Sequence, residues 1–225
     1  MSTTLKLPPR AAAPRFGDAD CDGLTRLIYH PVSGLVYRNR YRMVLELLSQ
    51  TGPVTRLLEA GCGSGLLLPS LASWGAPLTA IDAHPHLDQI RRMLQAAHVS
   101  DVELRRADVR QLPFRTGSFS HVVCVSVLEH LRDLDAALKE LRRVTADDGW
   151  LIVGVPTKNI ITRCLFACVG YDDSIIHPSS HRDVLRAAEP YWRMERLRVL
   201  PWGAPLDMSL YVAAQLQGRA GVADD

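Results

Sequence analysis

The chain has little of what marks specialised protein classes. Aromatic residues make up only 6% of its 225 positions, and no apolar run approaches the roughly 18 residues of a membrane-spanning helix. The best candidate, Ile160 to Val169, is short and broken by Arg163, so no membrane span is expected. An excess of one charge is also missing. The 26 Lys and Arg against 24 Asp and Glu leave +2, far from the basic surplus of a dedicated nucleic-acid binder. Cysteines at 21, 62, 124, 164 and 168 form neither a CxxC pair nor an even-numbered secreted framework. Nothing at the N-terminus reads as a signal peptide, and a reducing, cytoplasmic setting is the expectation. Internal repeats are absent, which excludes solenoids and propellers.

What is present is ordinary globular material, 47% apolar and 22% charged, enough for one generous domain. Residues 1–22 carry Pro8, Pro9, Pro14 and three consecutive alanines without amphipathic period, so a flexible N-terminal arm is expected there. A single domain is expected over 23–217, with a frayed tail at 218–225. Leu35, Val36, Met43, Val44, Leu47 and Leu48 recur at helical steps, predicting an amphipathic helix within Leu24 to Leu48 that ends before Gly52 and Pro53.

Short apolar runs then alternate with helical segments. Val54 to Ala60, Leu78 to Asp82, Val102 to Ala107, His121 to Ser126 and Trp150 to Val155 read as buried strands. Between them, Gly65 to Ser73, Pro85 to His98 and Leu134 to Val144 read as helices. This alternation predicts right-handed crossovers and a doubly wound α/β sheet with helices on both faces. An irregular stretch, 156–178, precedes a helix from Ser180 to Ala188 that Ser179 or Ser180 caps. Met194 to Leu200 and Met208 to Leu216 suit an antiparallel closing pair.

The sharpest signal is Leu57-Leu58-Glu59-Ala60-Gly61-Cys62-Gly63-Ser64-Gly65, an apolar strand entering alternating glycines and then a helix. Glycines let the backbone turn sharply and approach a ligand closely, at the carboxyl end of the first strand where open α/β sheets bind cofactors. A dinucleotide fingerprint requires glycine at 66, where Leu66 stands, so that reading fails by one residue. The segment Glu59-x-Gly61-x-Gly63-x-Gly65 instead resembles the first motif of class I S-adenosylmethionine-dependent methyltransferases, and the later motifs follow in order.

That resemblance covers 54–155 closely and implies a Rossmann-like seven-stranded sheet, mostly parallel, with one antiparallel strand in the closing hairpin. It implies S-adenosyl-L-methionine as cofactor and S-adenosyl-L-homocysteine as product. Glu59, Gly61, Cys62 and Gly63 would line the cofactor. Asp82 would take both ribose hydroxyls, which a carboxylate can accept at once. Asp108 would accept from the adenine amino group, Ala83 and Val109 would flank the ring, and Ser126 would lie under the methionine part. The region 23–50 and the segment 156–178 correspond to the family's variable substrate covers.

Methyl transfer needs alignment more than a base, since orientation contributes about 7–11 kcal/mol and a positioned base about 3–5 kcal/mol. Candidate bases are His130 and His177, then His181 and Glu129. The Glu129-His130 pair is similar to one in ubiquinone-pathway O-methyltransferases, where an additional Glu four residues before the His helps hold a divalent metal. Here that position is Ser126, so no required metal is expected. Tyr29, His30, Tyr37, Arg38 and Tyr41 offer contacts to the cofactor carboxylate or substrate, with Arg38 suited to a carboxylate. Ile160, Ile161, Leu165, Phe166 and Val169 either line an acceptor pocket or pack on the sheet, and Cys164 and Cys168 read as buried small apolar residues. A small-molecule acceptor is expected, with no nucleic-acid partner, since neither the Asn/Asp-Pro-Pro-aromatic segment nor a Pro-Cys nucleophile is present. A noncatalytic scaffold and an enzyme acting on nucleic acid or protein stand as alternatives.

Overall fold

A computed structural model describes residues 3–17, 19–31, 33–162 and 177–219, without the side chains of 19–21 and 24. Cys164, Cys168, Leu165, Phe166 and Val169 fall outside the described residues. Seven strands run in the order β3-β2-β1-β4-β5-β7-β6. They are β1 (Leu57–Ala60), β2 (Leu78–Asp82), β3 (Val102–Arg106), β4 (Phe119–Val125), β5 (Thr145–Pro156), β6 (Trp192–Leu200) and β7 (Tyr211–Gly218). The first five pair in parallel, and β7 enters antiparallel between β5 and β6. The expected sheet, with its single reversed strand, is the one found.

Strand alternation sorts the core into two layers. Leu58, Val122, Cys124, Leu151, Val153, Val212 and Ala214 face one side, where α5 (Leu134–Val144) and α6 (His181–Ala188) cover them. Leu57, Val123, Ile152 and Ala213 face the other, under α2 (Ser33–Leu48), α3 (Leu68–Ala72) and α4 (Leu87–Ala96). Each such fully buried Leu or Val stabilises the fold by about 1.5–3 kcal/mol relative to exposure. Helix starts are locally encoded. Asp133 accepts from the Ala136 amide at 3.1 Å, and Ser180 with Asp183 makes a reciprocal capping box on α6.

Several boundaries differ from the sequence expectation, among them the start of β1 at Leu57 rather than Val54 and of β7 at Tyr211 rather than Met208. The helix expected within Leu24 to Leu48 is two helices, α1 (Ala19–Tyr29) and α2, because Pro31 disfavours helical backbone at the residue before it. Arg38 Nη1 donates to the carbonyl of Ile28 at 2.8 Å, bracing the bend. The helix expected from Gly65 begins at Leu68, since Gly65 has φ +72°. The strand expected from Trp150 begins at Thr145, which pairs with Phe119 ahead of a bulge. The N-terminal arm lies along the domain. Lys6 and Ser70 exchange two hydrogen bonds, at 2.8 and 3.0 Å, Tyr29 donates to Pro8 at 2.6 Å, and Ala13 packs with Ile28 and Leu66.

Two expected outcomes follow from this packing. His121 is buried, its Nε2 2.8 Å from Thr51 Oγ1, and burial pushes its pKa down to about 4. The unfolded chain then binds the extra proton first. Thermal stability is full above about pH 6.5 and declines as pH falls toward 4, by up to about 1.4 kcal/mol per pH unit. His121→Gln flattens that slope in calorimetric melts. At Gly61 an added Cβ would sit 2.2 Å from Val127 Cγ2, so Gly61→Ala lowers stability by about 1–3 kcal/mol, and adding Val127→Ala restores part of the loss.

Candidate active site

β1 is buried at every position and releases the chain into Gly61, Gly63 and Gly65, with φ of +82°, +51° and +72°. The amides of Gly61 and Cys62 both donate to the Ile81 carbonyl, at 2.8 and 2.9 Å. This double contact turns the loop back over β2. At Gly63 an added Cβ meets nothing within 4 Å, so this glycine opens onto free space rather than onto neighbouring side chains. Beside it lies a cavity of about 60 Å³ walled by Tyr37, Arg40, Tyr41, Glu59, Gly61, Cys62, Gly63, Val125 and Ser126. It is at the carboxyl ends of β1 and β4, the switch point of the sheet.

The polar groups around this cavity are already positioned. Asp82 accepts from the Gly63 amide at 2.7 Å and from the His84 amide at 3.1 Å, leaving further acceptor capacity on its carboxylate. Glu59 is 3% exposed with Oε2 lacking a partner among the described residues. Burial, and then the charge of Asp82, push its pKa well up. Ser126 is held at φ +56°, its amide donating to Gly154 at 2.7 Å. Its hydroxyl meets the Tyr211 hydroxyl at 3.1 Å and accepts from Arg40 Nη2. An open depression of roughly 1120 Å³ lies elsewhere, at the amino ends of β2 and β3, lined by Pro77, Leu78, Val102 and Glu103. Open α/β sheets bind at the opposite strand ends.

The other expected residues are distributed unequally. Asp108 lies two residues beyond β3 and is gripped by Arg110 through contacts of 2.6 to 3.2 Å, which hold its carboxyl below the usual range. Ala83 is exposed, its carbonyl accepting from Arg106 at 2.9 Å, whereas Val109 packs into the layer beneath α5. His130 and His177 come together with ring centroids 5.0 Å apart. With Glu129 they place donor atoms within 4.8 Å of one another. Glu129 is 1% exposed, and burial pushes its pKa up to about 7. His181 stands apart at the first turn of α6, where its Nδ1 accepts from the Lys158 amide at 3.1 Å. Ile160 and Ile161 are exposed rather than packed on the sheet.

Sequence reasoning missed two groups. Arg38 is spent on the helix bend, and Arg40 is the guanidinium at the cavity, 4.8 Å from the Tyr37 ring and 4.0 Å from the Tyr211 ring. The signal was helical spacing: Tyr37, Arg40, Tyr41, Val44 and Leu48 share one face of α2, and Val44 and Leu48 are fully buried. Phe16 from the arm stacks on His86 at 5.0 Å and lies tilted against His84 at 4.9 Å, beside Asp82. Nothing in the local pattern around Phe16 indicates this distant contact.

Residues 58–153 match the family described as a methyltransferase domain. A ubiquinone biosynthesis O-methyltransferase of Xanthomonas oryzae pv. oryzae is 37% identical over 99 residues, 44% of this chain and 41% of the relative. The chain thus spans about two fifths of that relative's length. One of the same description from Xanthomonas axonopodis pv. citri is 30% identical over 184 residues, covering 80% of this chain and 73% of the relative. Among solved structures, the N-methyltransferase NodS from Bradyrhizobium japonicum WM9 with S-adenosyl-l-homocysteine superposes at TM-score 0.65 and 21% identity, over 89% of this chain and 99% of that one. The [4+2]-cyclase SpnF superposes at TM-score 0.66 and 18% identity, over 83% and 82%. The strand order, the glycine turn with its acidic strand ends, and an Xanthomonas relative matched along most of its length place this chain in the class I S-adenosylmethionine-dependent methyltransferase family.

Proposed function

We propose that the protein transfers a methyl group from S-adenosylmethionine to a hydroxyl of a small-molecule acceptor. The observation that carries this reading is a cavity lined by Arg40 and Gly63, with an anionic end at Asp82 joined to its glycine wall through the Gly63 amide. Asp82 and Arg40 complement a ribose diol and an amino-acid carboxylate. The residues present fit the cofactor by two further features: the open space at Gly63 and the orphaned Glu59 oxygen in the cavity wall. The enclosed 60 Å³ admits only a few atoms, in keeping with a methionyl end inside and a nucleoside on the open side near Asp82 and Asp108.

Bound there, S-adenosylmethionine supplies a methyl group already activated on a sulfonium, ready for in-line substitution. The protein's own work is alignment. Asp82 accepts from the ribose hydroxyls, and Arg40, fixed between two tyrosine rings, pairs with the carboxylate as a fork. Tyr37 and Tyr41 roof the cavity and exclude water, which strengthens these contacts. Glu129, His130 and His177 supply the acceptor side. The names of the Xanthomonas relatives favour an oxygen acceptor, and the hydroxyl would face this polar cluster. The likeness to SpnF means the fold by itself does not fix the reaction, so turnover must be measured apart from binding.

Calorimetric titration with S-adenosylmethionine, S-adenosylhomocysteine and NAD tests the cofactor. Binding of the two sulfur compounds without NAD is expected. Asp82→Asn and Arg40→Lys should each weaken that binding roughly 10- to 100-fold, the loss of a charge-assisted contact, with a modest drop in melting temperature for Asp82→Asn, which cannot accept from both the Gly63 and His84 amides. Mass spectrometry of phenolic acceptors incubated with the protein and cofactor should show the gain of one methyl. Cofactor binding without transfer to any hydroxyl, amine or carbon acceptor would favour the scaffold reading.

A further inference from the structure

We propose that His84 is a positioning residue for the cofactor turn: its imidazole fixes the Gly63–Ser64 peptide, and Phe16 of the N-terminal arm keeps that imidazole in place. Gly63 is the residue of the turn that packing leaves alone. The Gly61 and Cys62 amides are tied to the Ile81 carbonyl, and the Gly65 amide donates to the Cys62 carbonyl at 2.8 Å. Gly63 is held by side chains instead. Asp82 accepts from its amide at 2.7 Å, and His84 Nε2 lies 2.8 Å from its carbonyl.

The partners of the ring assign its proton. A carbonyl only accepts, so Nε2 donates to Gly63. The His86 amide donates to Nδ1 at 3.1 Å, so that nitrogen carries no hydrogen. His84 is therefore the neutral Nε2–H tautomer, with both ring nitrogens used. Asp82 Oδ1 stands 3.9 Å from Nε2, outside hydrogen-bond range, and accepts from the His84 amide at 3.1 Å instead. Asp82 and His84 thus divide the two polar groups of one glycine between them.

A glycine at this point needs such a clasp. Its backbone has little steric preference, and an added Cβ at Gly63 meets nothing within 4 Å, so packing does not resist a flip of the peptide that follows. A flip there would alter the wall that Gly63 gives the cavity.

Phe16 closes the clasp from outside. Its ring stacks on His86 with planes 14° apart and leans on His84 at 4.9 Å, leaving the His84 side chain 16% exposed. The arm is fastened on either side of that ring. In α1, the Asp22 carboxylate accepts from the Phe16 and Gly17 amides at 2.7 and 3.0 Å. In α4, Gln89 Oε1 accepts from the Arg15 amide at 3.2 Å. The consequence for cofactor affinity rests on the proposed function, while the clasp itself does not.

Three substitutions in the full chain separate the donor from the ring. His84→Phe keeps a ring beside Phe16 without a donor, His84→Asn is too short to reach the Gly63 carbonyl, and His84→Gln carries an amide nitrogen to about where Nε2 stands. In cofactor-free protein, nitrogen-15 NMR in mildly alkaline buffer should show the Nε2–H tautomer at His84. Hydrogen exchange at the Gly63 amide should quicken about 3- to 10-fold in His84→Phe and His84→Asn and return toward the wild-type rate in His84→Gln. Calorimetric affinity for S-adenosylhomocysteine should follow the same order, about 3- to 10-fold weaker in the first two and largely recovered in the third. An Nδ1–H tautomer would overturn the proposal. So would exchange unchanged in His84→Phe and His84→Asn, or a loss in His84→Gln as large as theirs, or a lowered melting temperature with affinity unchanged. Wild-type protein that binds no S-adenosylhomocysteine would contradict the proposed function instead, and the tautomer and exchange results, obtained without cofactor, would still judge the clasp.

Discussion

The site depends on one backbone reversal. Where β1 ends, the amides of Gly61 and Cys62 share the Ile81 carbonyl, so the chain leaves the sheet, passes over β2 and delivers Gly63 to Asp82. Two neighbouring constraints allow only glycine at its ends: Val127 closes on Gly61, and Ile90 Cγ2 lies 2.7 Å from where a Gly65 Cβ would be. Between them Gly63 meets nothing. The loop is thus packed tightly at both ends and open in the middle, where glycine backbone rather than a side chain borders the cavity.

Arg40 organises the opposite wall. A guanidinium at a cavity is costly unless its donors are met, and here the faces of Tyr37 and Tyr211 and the hydroxyl of Ser126 meet it. Those partners come from α2, β7 and the end of β4. The covering helix, the reversed strand and the switch point are therefore joined through one side chain. A charge held in place before ligand arrives has little ordering left to do on binding, which is the general advantage of preorganisation.

Much of this was legible because strand ends announce themselves. The buried run closing on Asp82 and the glycines following Ala60 lie in contiguous sequence, so local pattern was enough to assign them, whereas the run before Asp108, expected to be buried, is the edge strand β3 with no buried residue. The sheet order followed from alternation and the resemblance. What sequence could not supply were contacts between distant segments. Arg38 was the guanidinium expected for a carboxylate, but the break at Pro31 leaves it on the Ile28 carbonyl and Arg40 at the cavity. Phe16 reaches His84 and His86 from an arm with no period at all. His177 meets His130 beside a turn where Ser179 is pinned to the carbonyls of Glu129 and Leu131. Helix and strand periodicity carries no information on such pairings.

The central claim is that the Gly61 to Gly65 turn, Asp82 and Arg40 form one cofactor site. A crystal structure of the protein with S-adenosylhomocysteine tests it most directly. The account predicts density against Gly63, with the ribose diol on Asp82 and the amino-acid carboxylate on Arg40. Density at the amino ends of β2 and β3, or at the Gly61 to Gly65 turn with Arg40 still held on Ser126 and the carboxylate elsewhere, would contradict it.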